Sequence, residues 1–145
     1  MSSIEVEEDR FTGARTLRTP YTVTSFASGD RIGVNWAMIF AEGKKTPDFF
    51  GFAAQRVGNH WKFLMQTEAL FLVDGSKRVT PMECSMGDHE VLQSAQVSEV
   101  MVAMFFESDV PVLSQAVTLE VRLSGFEVNL TQTLPSLREL RRWRP

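Results

Sequence analysis

The segment "VTLEVRLSGFEVNLT" (Val117–Thr131) decides the fold class, because apolar and polar side chains alternate on both sides of a Ser-Gly pair. This period of two is typical of a half-buried β-strand. A two-residue turn at the Ser-Gly pair would set Val121 opposite Val128 on one face. The same register sets Arg122 opposite Glu127 on the other face. Because both faces agree on one register, the segment predicts an antiparallel hairpin.

Other parts of the chain resemble this hairpin more than they resemble helices. Four stretches are rich in β-branched and aromatic residues and have turn residues between them, which predicts strands at 32–41, 49–55, 61–73 and 100–106. No repeat and no low-complexity linker divides the chain. We therefore expect a single β-rich domain over 1–145, in which 1–12 is an acidic segment of looser order.

Two segments have helical patterns instead. In 109–116 a proline stands in the first turn of the predicted helix, where its missing N–H costs nothing. In 134–143 apolar residues recur at Leu137, Leu140 and Trp143, which gives this helix one edge to lay on a sheet. The sequence as a whole predicts a mainly β protein, either an antiparallel β-sandwich or a partly open barrel, with these two short helices.

Composition and charge exclude several functional classes. The chain has 145 residues, of which 43% are hydrophobic and 23% charged, and its net charge is -3, so a nucleic-acid partner is not expected. The first residues are acidic where a secretory signal would be basic and then apolar, and no apolar run reaches the ~18 residues of a membrane span. A single cysteine excludes an internal disulfide, which agrees with a reducing compartment. We expect a cytoplasmic protein with no membrane partner.

The stretch "PMECSMGDHE" (81–90) gathers sulfur and imidazole side chains and so resembles a soft-metal site. Cys84 and His89 are the candidate ligands. Zinc and copper sites need several strong ligands that converge, and a Cys-x4-His spacing across a Gly-Asp turn does not supply them. In an extended strand Met82, Cys84 and Met86 share one face, as the wall of a core would. We favour the core wall and predict no metal and no cofactor.

Catalytic motifs are not recognisable in the sequence. The chain has no Gly-x-Ser-x-Gly elbow, and "EGKKT" (42–46) lacks the first glycine of a phosphate-binding loop. Its two histidines stand in turn-like sequence, away from any nucleophile that spacing could identify. The sequence therefore assigns no catalytic residue and favours a protein that is not an enzyme.

One strand suggests an interaction surface. In "VMVAMFF" (Val100–Phe106) both faces are apolar, so each face needs a cover. Either the two predicted helices cover the face that carries Met101 and Phe105, or another chain does. The second alternative makes Met101 and Phe105 interaction residues. It predicts a non-catalytic cytosolic binding module that associates with itself, as a homo-oligomer, or with another protein.

A different functional class follows from the supply of aromatic residues. If the sheet forms a half-barrel, these side chains could line a cavity of ~300 Å³ or more and bind a small molecule or a lipid. The competing interpretation is that they pack in an ordinary core. The candidate pocket residues are Trp36, Phe40, Phe50, Phe52, Trp61 and Phe63.

Several of these segments together resemble a known pattern. The segments are "WKF" (61–63), "LFLVDGSKRV" (70–79), "AVTLEVRLSGFEVNL" (116–130) and "LREL" (137–140). Their apolar residues around a Val-Asp-Gly turn and a Val-Glu-x-Arg strand are similar to those of a family of uncharacterised bacterial proteins. The resemblance supports a β-sandwich and implies no activity.

Overall fold

A computed structural model describes residues 4–143 and shows a mainly β fold of two antiparallel sheets with two short helices. The described residues do not close into a barrel, and the predicted fold class is confirmed. The strands are β1 (Glu5–Glu8), β2 (Arg15–Arg18), β3 (Thr22–Ser25), β4 (Arg31–Phe40), β5 (Phe49–Gly58), β6 (Ala69–Val73), β7 (Lys77–Val79), β8 (Glu83–Val91), β9 (Val97–Met104), β10 (Leu119–Leu123) and β11 (Phe126–Asn129).

The large sheet has the strand order β1-β2-β4-β5-β9-β8, and β3 pairs with β4 alongside β2. The small sheet has the order β11-β10-β6-β7. Side chains from both sheets and from both helices form a single hydrophobic core. Each strand of the large sheet therefore has an inner face, toward this core, and an outer face that points away from it.

The hairpin predicted from Val117–Thr131 is confirmed in its register. Val121 pairs with Val128 and Arg122 pairs with Glu127. The turn residue Ser124 has φ 49° and the glycine after it has φ 93°, the left-handed backbone that a tight two-residue turn requires.

One of the strand expectations needs correction, and the N-terminal segment contains a strand that was not predicted. The stretch 61–73 contains a strand only at Ala69–Val73, and the residues before it form a loop. Of the acidic segment 1–12, Glu5–Glu8 form the edge strand β1, paired with β2, while residues 1–3 lie outside the described residues.

The helices lie close to their predicted positions. They are α1 (Val110–Ser114) and α2 (Leu134–Arg142), each with a proline in its first turn and a short 3-10 turn before it. Leu137 and Leu140 are completely buried in the core, as their spacing predicted. Trp143 follows the end of α2 and is half-buried, with its ring centroid 5.8 Å from that of Phe40.

The end of the core nearest α2 is aromatic. The ring of Trp36 lies 5.0 Å from that of Phe52, 6.2 Å from that of Phe71 and 6.0 Å from that of Phe105. Its indole Nε1–H donates a hydrogen bond of 3.0 Å to the hydroxyl of Thr133, just before α2. This bond satisfies the polar atom that a buried tryptophan carries and ties the second helix to the large sheet.

Candidate functional site

The candidate metal ligands lie on β8, the edge strand of the large sheet. Cys84 is half-buried against the core, and burial raises the pKa of its thiol. His89 lies past an irregularity in the β8–β9 register, and its ring packs against Trp61 at 5.8 Å. Among residues 4–143 no three His, Cys, Asp or Glu side chains are grouped as metal ligands would be. The expected core wall is only partly formed, because Met82, the residue directly before this edge strand, is 47% exposed.

The six candidate pocket residues do not line one cavity. Trp36, Phe52 and Phe63 are at most 2% exposed and fill the core. Phe40 and Phe50 lie at the base of an open cleft of about 650 Å³, between the β4–β5 loop and the segment before α1. Trp61 is half-buried on the loop before β6.

The interaction residues expected on β9 belong to the core of the chain itself. Met101 is 1% exposed and Phe105 is 5% exposed, and the ring of Phe105 lies 4.9 Å from that of Phe71 in the small sheet. Both therefore point inward, and their assignment to a contact with another chain was wrong. Because successive strand residues point to opposite faces, the outer face of β9 carries the other half of the apolar stretch.

We call this second surface the outer face. It is formed by the outward side chains of β4, β5 and β9, most of which are apolar and half-buried: Ala37, Ile39, Phe49, Ala53, Val57, Val100, Val102 and Met104. Four polar side chains share the face: Arg31 and Gln55 are exposed, and Asn35 and Ser98 are buried. The buried residues of α1 and α2 lie in the same core as the inward side chains of the large sheet. Both helices thus pack on the inner side, and within residues 4–143 no helix covers the outer face.

Aromatic rings shape the outer face. A side chain at Gly51 would collide with the ring of Phe49, so that ring lies across the glycine in the middle of the face. At Gly33 a Cβ would lie 3.3 Å from Cδ1 of Tyr21, a side chain that is 53% exposed. Each ring covers backbone that a glycine leaves bare, which makes the surface more apolar.

Direct cross-strand pairing places five outward residues in one row across the large sheet. Arg18 of β2 pairs with Ala37 of β4, which pairs with Gly51 of β5. Gly51 pairs with Met104 of β9, and Met104 pairs with Glu83 of β8. The row continues to Glu5 of the edge strand β1, which pairs with Arg18, so both edges of the row are acidic, its middle is apolar, and Arg18 lies one strand inside the first edge.

The small sheet presents a different surface to its outside. Glu120, Arg122, Glu127 and Asn129 are all exposed there, around the half-buried Leu70 and Leu72. Arg122 and Glu127 stand directly opposite each other on neighbouring strands, a pairing that is favourable in water. This charged face is suited to solvent.

A buried ionic cluster lies at one end of the core, and the sequence analysis did not find it. Arg56 of β5 is 1% exposed, and its Nη1 donates hydrogen bonds of 2.7 Å both to Glu99 Oε2 and to the carbonyl of His60. Its Nη2 donates to Asp30, at the start of β4. The alternation along each strand could have indicated this cluster, because Arg56 and Glu99 fall at inward positions of their strands.

The ionic cluster holds the loop between β5 and β6. The Glu99 carboxylate accepts backbone N–H bonds from Lys62 at 3.1 Å, from Phe63 at 3.2 Å and from Leu64 at 2.9 Å. Together with Arg56, these donors occupy the acceptor sites of Glu99. The cluster therefore has a structural role, because its acidic groups already have their partners within the chain.

The charge on Asp30 is stabilised by its neighbours. Desolvation raises the pKa of Asp30, but the hydrogen bond from the Ser28 hydroxyl and the guanidinium of Arg56 outweigh it and hold the pKa below its ordinary value of 3.8. The carboxylate is thus the favoured form in the folded protein.

Searches against protein-family models, curated proteins and solved structures found no match for this chain. The resemblance to uncharacterised bacterial proteins stays a prediction. No helix within residues 4–143 has the length and apolar character needed to cross a membrane.

Proposed function

We propose that this protein is a non-catalytic interaction module that binds another protein chain through its outer face. The observation that carries the proposal is the group of apolar side chains on the outer face of β4, β5 and β9, each of which keeps part of its surface in solvent. Apolar patches that solvent can reach mark protein contact sites, whereas the charged outside of the small sheet is typical of a solvated surface. The proposal places the module in the cytoplasm, which the single cysteine supports.

The proposed function is non-catalytic, and the pairing of the buried charged residues supports this part of the proposal. Asp30, Arg56 and Glu99 are paired with one another and with loop amides, so they serve the fold. An activated catalytic group instead needs a partner in a cleft that a substrate can reach.

The proposal can be tested with a photo-crosslinking amino acid, p-benzoylphenylalanine, placed at position 102 of the full chain in the cells that make it. Val102 lies in the middle of the outer face. The matched control places the same amino acid at 122, in the middle of the charged face of the small sheet. We expect a discrete protein adduct at 102, identified by mass spectrometry, that is absent at 122 and lost when Ala53→Lys is added. Equal labelling at the two positions would contradict the proposal.

The open cleft supports a second candidate function, the binding of a small apolar ligand. Its volume of about 650 Å³ is within the range of small-molecule sites, and its base is apolar at Met38, Phe40 and Phe50. Lys45 and Arg141 line the cleft together with Asp48 and Glu107, so its apolar base is the feature that would select a ligand. NMR titration with dodecanoate, which has a long apolar body, should then shift the methyl signals of Met38 and Met82. No shift with millimolar dodecanoate would exclude this candidate.

A further inference from the structure

We propose that the partner of the outer face is a second copy of this chain, related to the first by a twofold axis that runs parallel to the strands and passes over β5. This inference rests on the proposed function, since it names the partner of the same surface. Its basis is the arrangement of charge and side-chain size along the row that crosses the large sheet.

A twofold axis parallel to the strands preserves position along a strand and reverses the order of the strands. With the axis over β5, the β2 side of one copy lies above the β8 side of the other. Arg18 and Glu83 belong to one row, two strands to either side of Gly51. Each Arg18 therefore faces the Glu83 of the other copy, and the contact forms twice, as an isologous interface requires.

Twist between the two sheets does not disrupt this pairing. Aligned sheets cross at about 30°, which displaces residues two strands from the axis by about 5 Å. The long side chain of arginine spans that offset. Arg18 donates a hydrogen bond of 2.8 Å from Nη1 to Glu7 of its own chain, and the same atom lies 3.9 Å from Glu5; its other guanidinium donors can serve a further carboxylate.

Side-chain size is complementary under the same operation. Met104, one strand from the axis, faces Ala37 of the other copy, which lies one strand away on the opposite side. The next row likewise sets Val102 against Asn35, whose side chain is buried and bonded to the carbonyl of Thr19. In both rows, a side chain that projects from one sheet therefore faces a residue of the other copy whose side chain is short or buried.

The centre of the interface is aromatic. Because the ring of Phe49 lies across Gly51, the twofold axis brings the two Phe49 rings together. Binding energy in protein interfaces is concentrated in such central aromatic side chains, with charged pairs at the rim.

The size of the sheet fits a stable dimer. The five strands from β2 to β8 cover about 24 Å across at the usual spacing, and the ten residues of β4 and of β5 cover about 33 Å along the sheet. Because β2 has four residues and β9 has eight, the product of about 800 Å² is the upper bound of the contact, and it equals the area that each partner buries in a standard interface.

Charge also selects among the possible axes. If the axis passed between β4 and β5, the row would set Glu5 of β1 against Glu83 and would place Arg18 against Met104. Like charges would then face each other at the rim, and a guanidinium would lie on an apolar side chain. The axis over β5 avoids both.

The experiment is sedimentation equilibrium of the purified full chain at 1–100 μM with a charge-swap cycle. We expect a dimer, a dissociation constant at least 10-fold weaker for Arg18→Glu and for Glu83→Arg, and recovery to within 3-fold of the parent in the double variant. The matched control reverses Arg122 and Glu127 in the same way on the small sheet and should leave the dimer unchanged. Val102→Lys should weaken association at least 100-fold while circular dichroism shows the fold intact.

The possible outcomes separate this inference from the proposed function. A chain that is monomeric to 100 μM overturns the second copy, and the in-cell adduct at 102 then identifies a different protein if the proposed function holds. A dimer that Val102→Lys does not weaken overturns the outer face as its interface. A dimer that Val102→Lys weakens but that the double swap does not rescue overturns the axis over β5.

Discussion

The two ends of the core are held together by different chemistry. At one end the rings of Trp36, Phe52 and Phe71 meet at centroid distances of 5.0 to 6.2 Å. At the other end the guanidinium of Arg56 donates hydrogen bonds to the carboxylates of Glu99 and Asp30. Apolar packing tolerates small changes of shape, whereas a buried ionic cluster fails when any one partner is removed.

This difference shows what each end does for the fold. The aromatic end joins the two sheets and α2 by burying apolar surface. The ionic end positions a segment without regular structure, because Glu99 holds three successive loop amides. Buried ion pairs contribute little net stability compared with apolar residues of the same size, so we assign the ionic end a role in specifying the loop conformation.

The largest effect is expected from Arg56→Met at the ionic end. The substitution keeps the volume but leaves the carboxylate of Glu99, which is 0% exposed, without its counter-charge. We expect a loss of about 3–5 kcal/mol in the free energy of unfolding, measured by urea denaturation. The control Arg122→Met, on the exposed face of the small sheet, should change it by no more than about 0.5 kcal/mol. Equal costs for the two substitutions would remove the distinction between a buried cluster and a surface charge.

A second substitution separates stability from loop position. Adding Glu99→Gln to Arg56→Met removes the buried carboxylate, so part of the lost stability should return. The amides of residues 62–64 should nevertheless exchange with solvent faster than in the parent, because their charged acceptor is gone. Unchanged hydrogen exchange at these amides would contradict the role assigned to Glu99.

A smaller effect is expected from Thr133→Val at the aromatic end. The substitution removes the acceptor of the Trp36 indole N–H, which is then buried without a partner. Such an atom costs about 1–3 kcal/mol, which thermal unfolding can measure. Thr46→Val, at an exposed loop position, is the control and should have no measurable effect. A cost for Thr133→Val as large as that of Arg56→Met would show that the aromatic end also depends on single polar contacts.

The sequence predicted the aromatic end better than the ionic end, and the reason is physical. Alternation along each strand is a local signal, and it placed the strands around Trp36 and the hairpin register at Val121 correctly. The pairing of Arg56 with Glu99 joins residues 43 positions apart, and nothing local in either strand names the other. The alternation of inward and outward residues does mark both as charges at inward positions. It therefore predicts that each needs a buried partner, but it does not identify that partner.

The candidate site shows the same limit. The strand around Met101 is apolar on both faces, and the sequence of one strand alone does not reveal which face meets the core. The structure resolves this through the pairing of β9 with β5, which continues the inward row of Phe52 and Ala54 into Met101 and Ala103. The surface that we propose for a partner is therefore the one with Val102.

The last prediction compares the two ends of the core by their dependence on pH, because the ionic end contains the titratable carboxyl of Asp30. Because the folded-state pKa of Asp30 lies below its ordinary value of 3.8, its carboxylate stabilises the folded protein above that pH, and this contribution is lost as the pH falls below 3.8. The cost of Asp30→Asn, measured by urea denaturation, should therefore shrink from pH 5 to pH 2. Over the same range the cost of Thr133→Val should stay constant, because neither Thr133 nor Trp36 titrates there. Ser28→Ala removes a hydrogen bond that lowers the folded-state pKa of Asp30, so the pH-dependent loss should be smaller and should be complete at a higher pH. A cost of Asp30→Asn that is independent of pH would mean that charge on Asp30 is not what holds this end of the core.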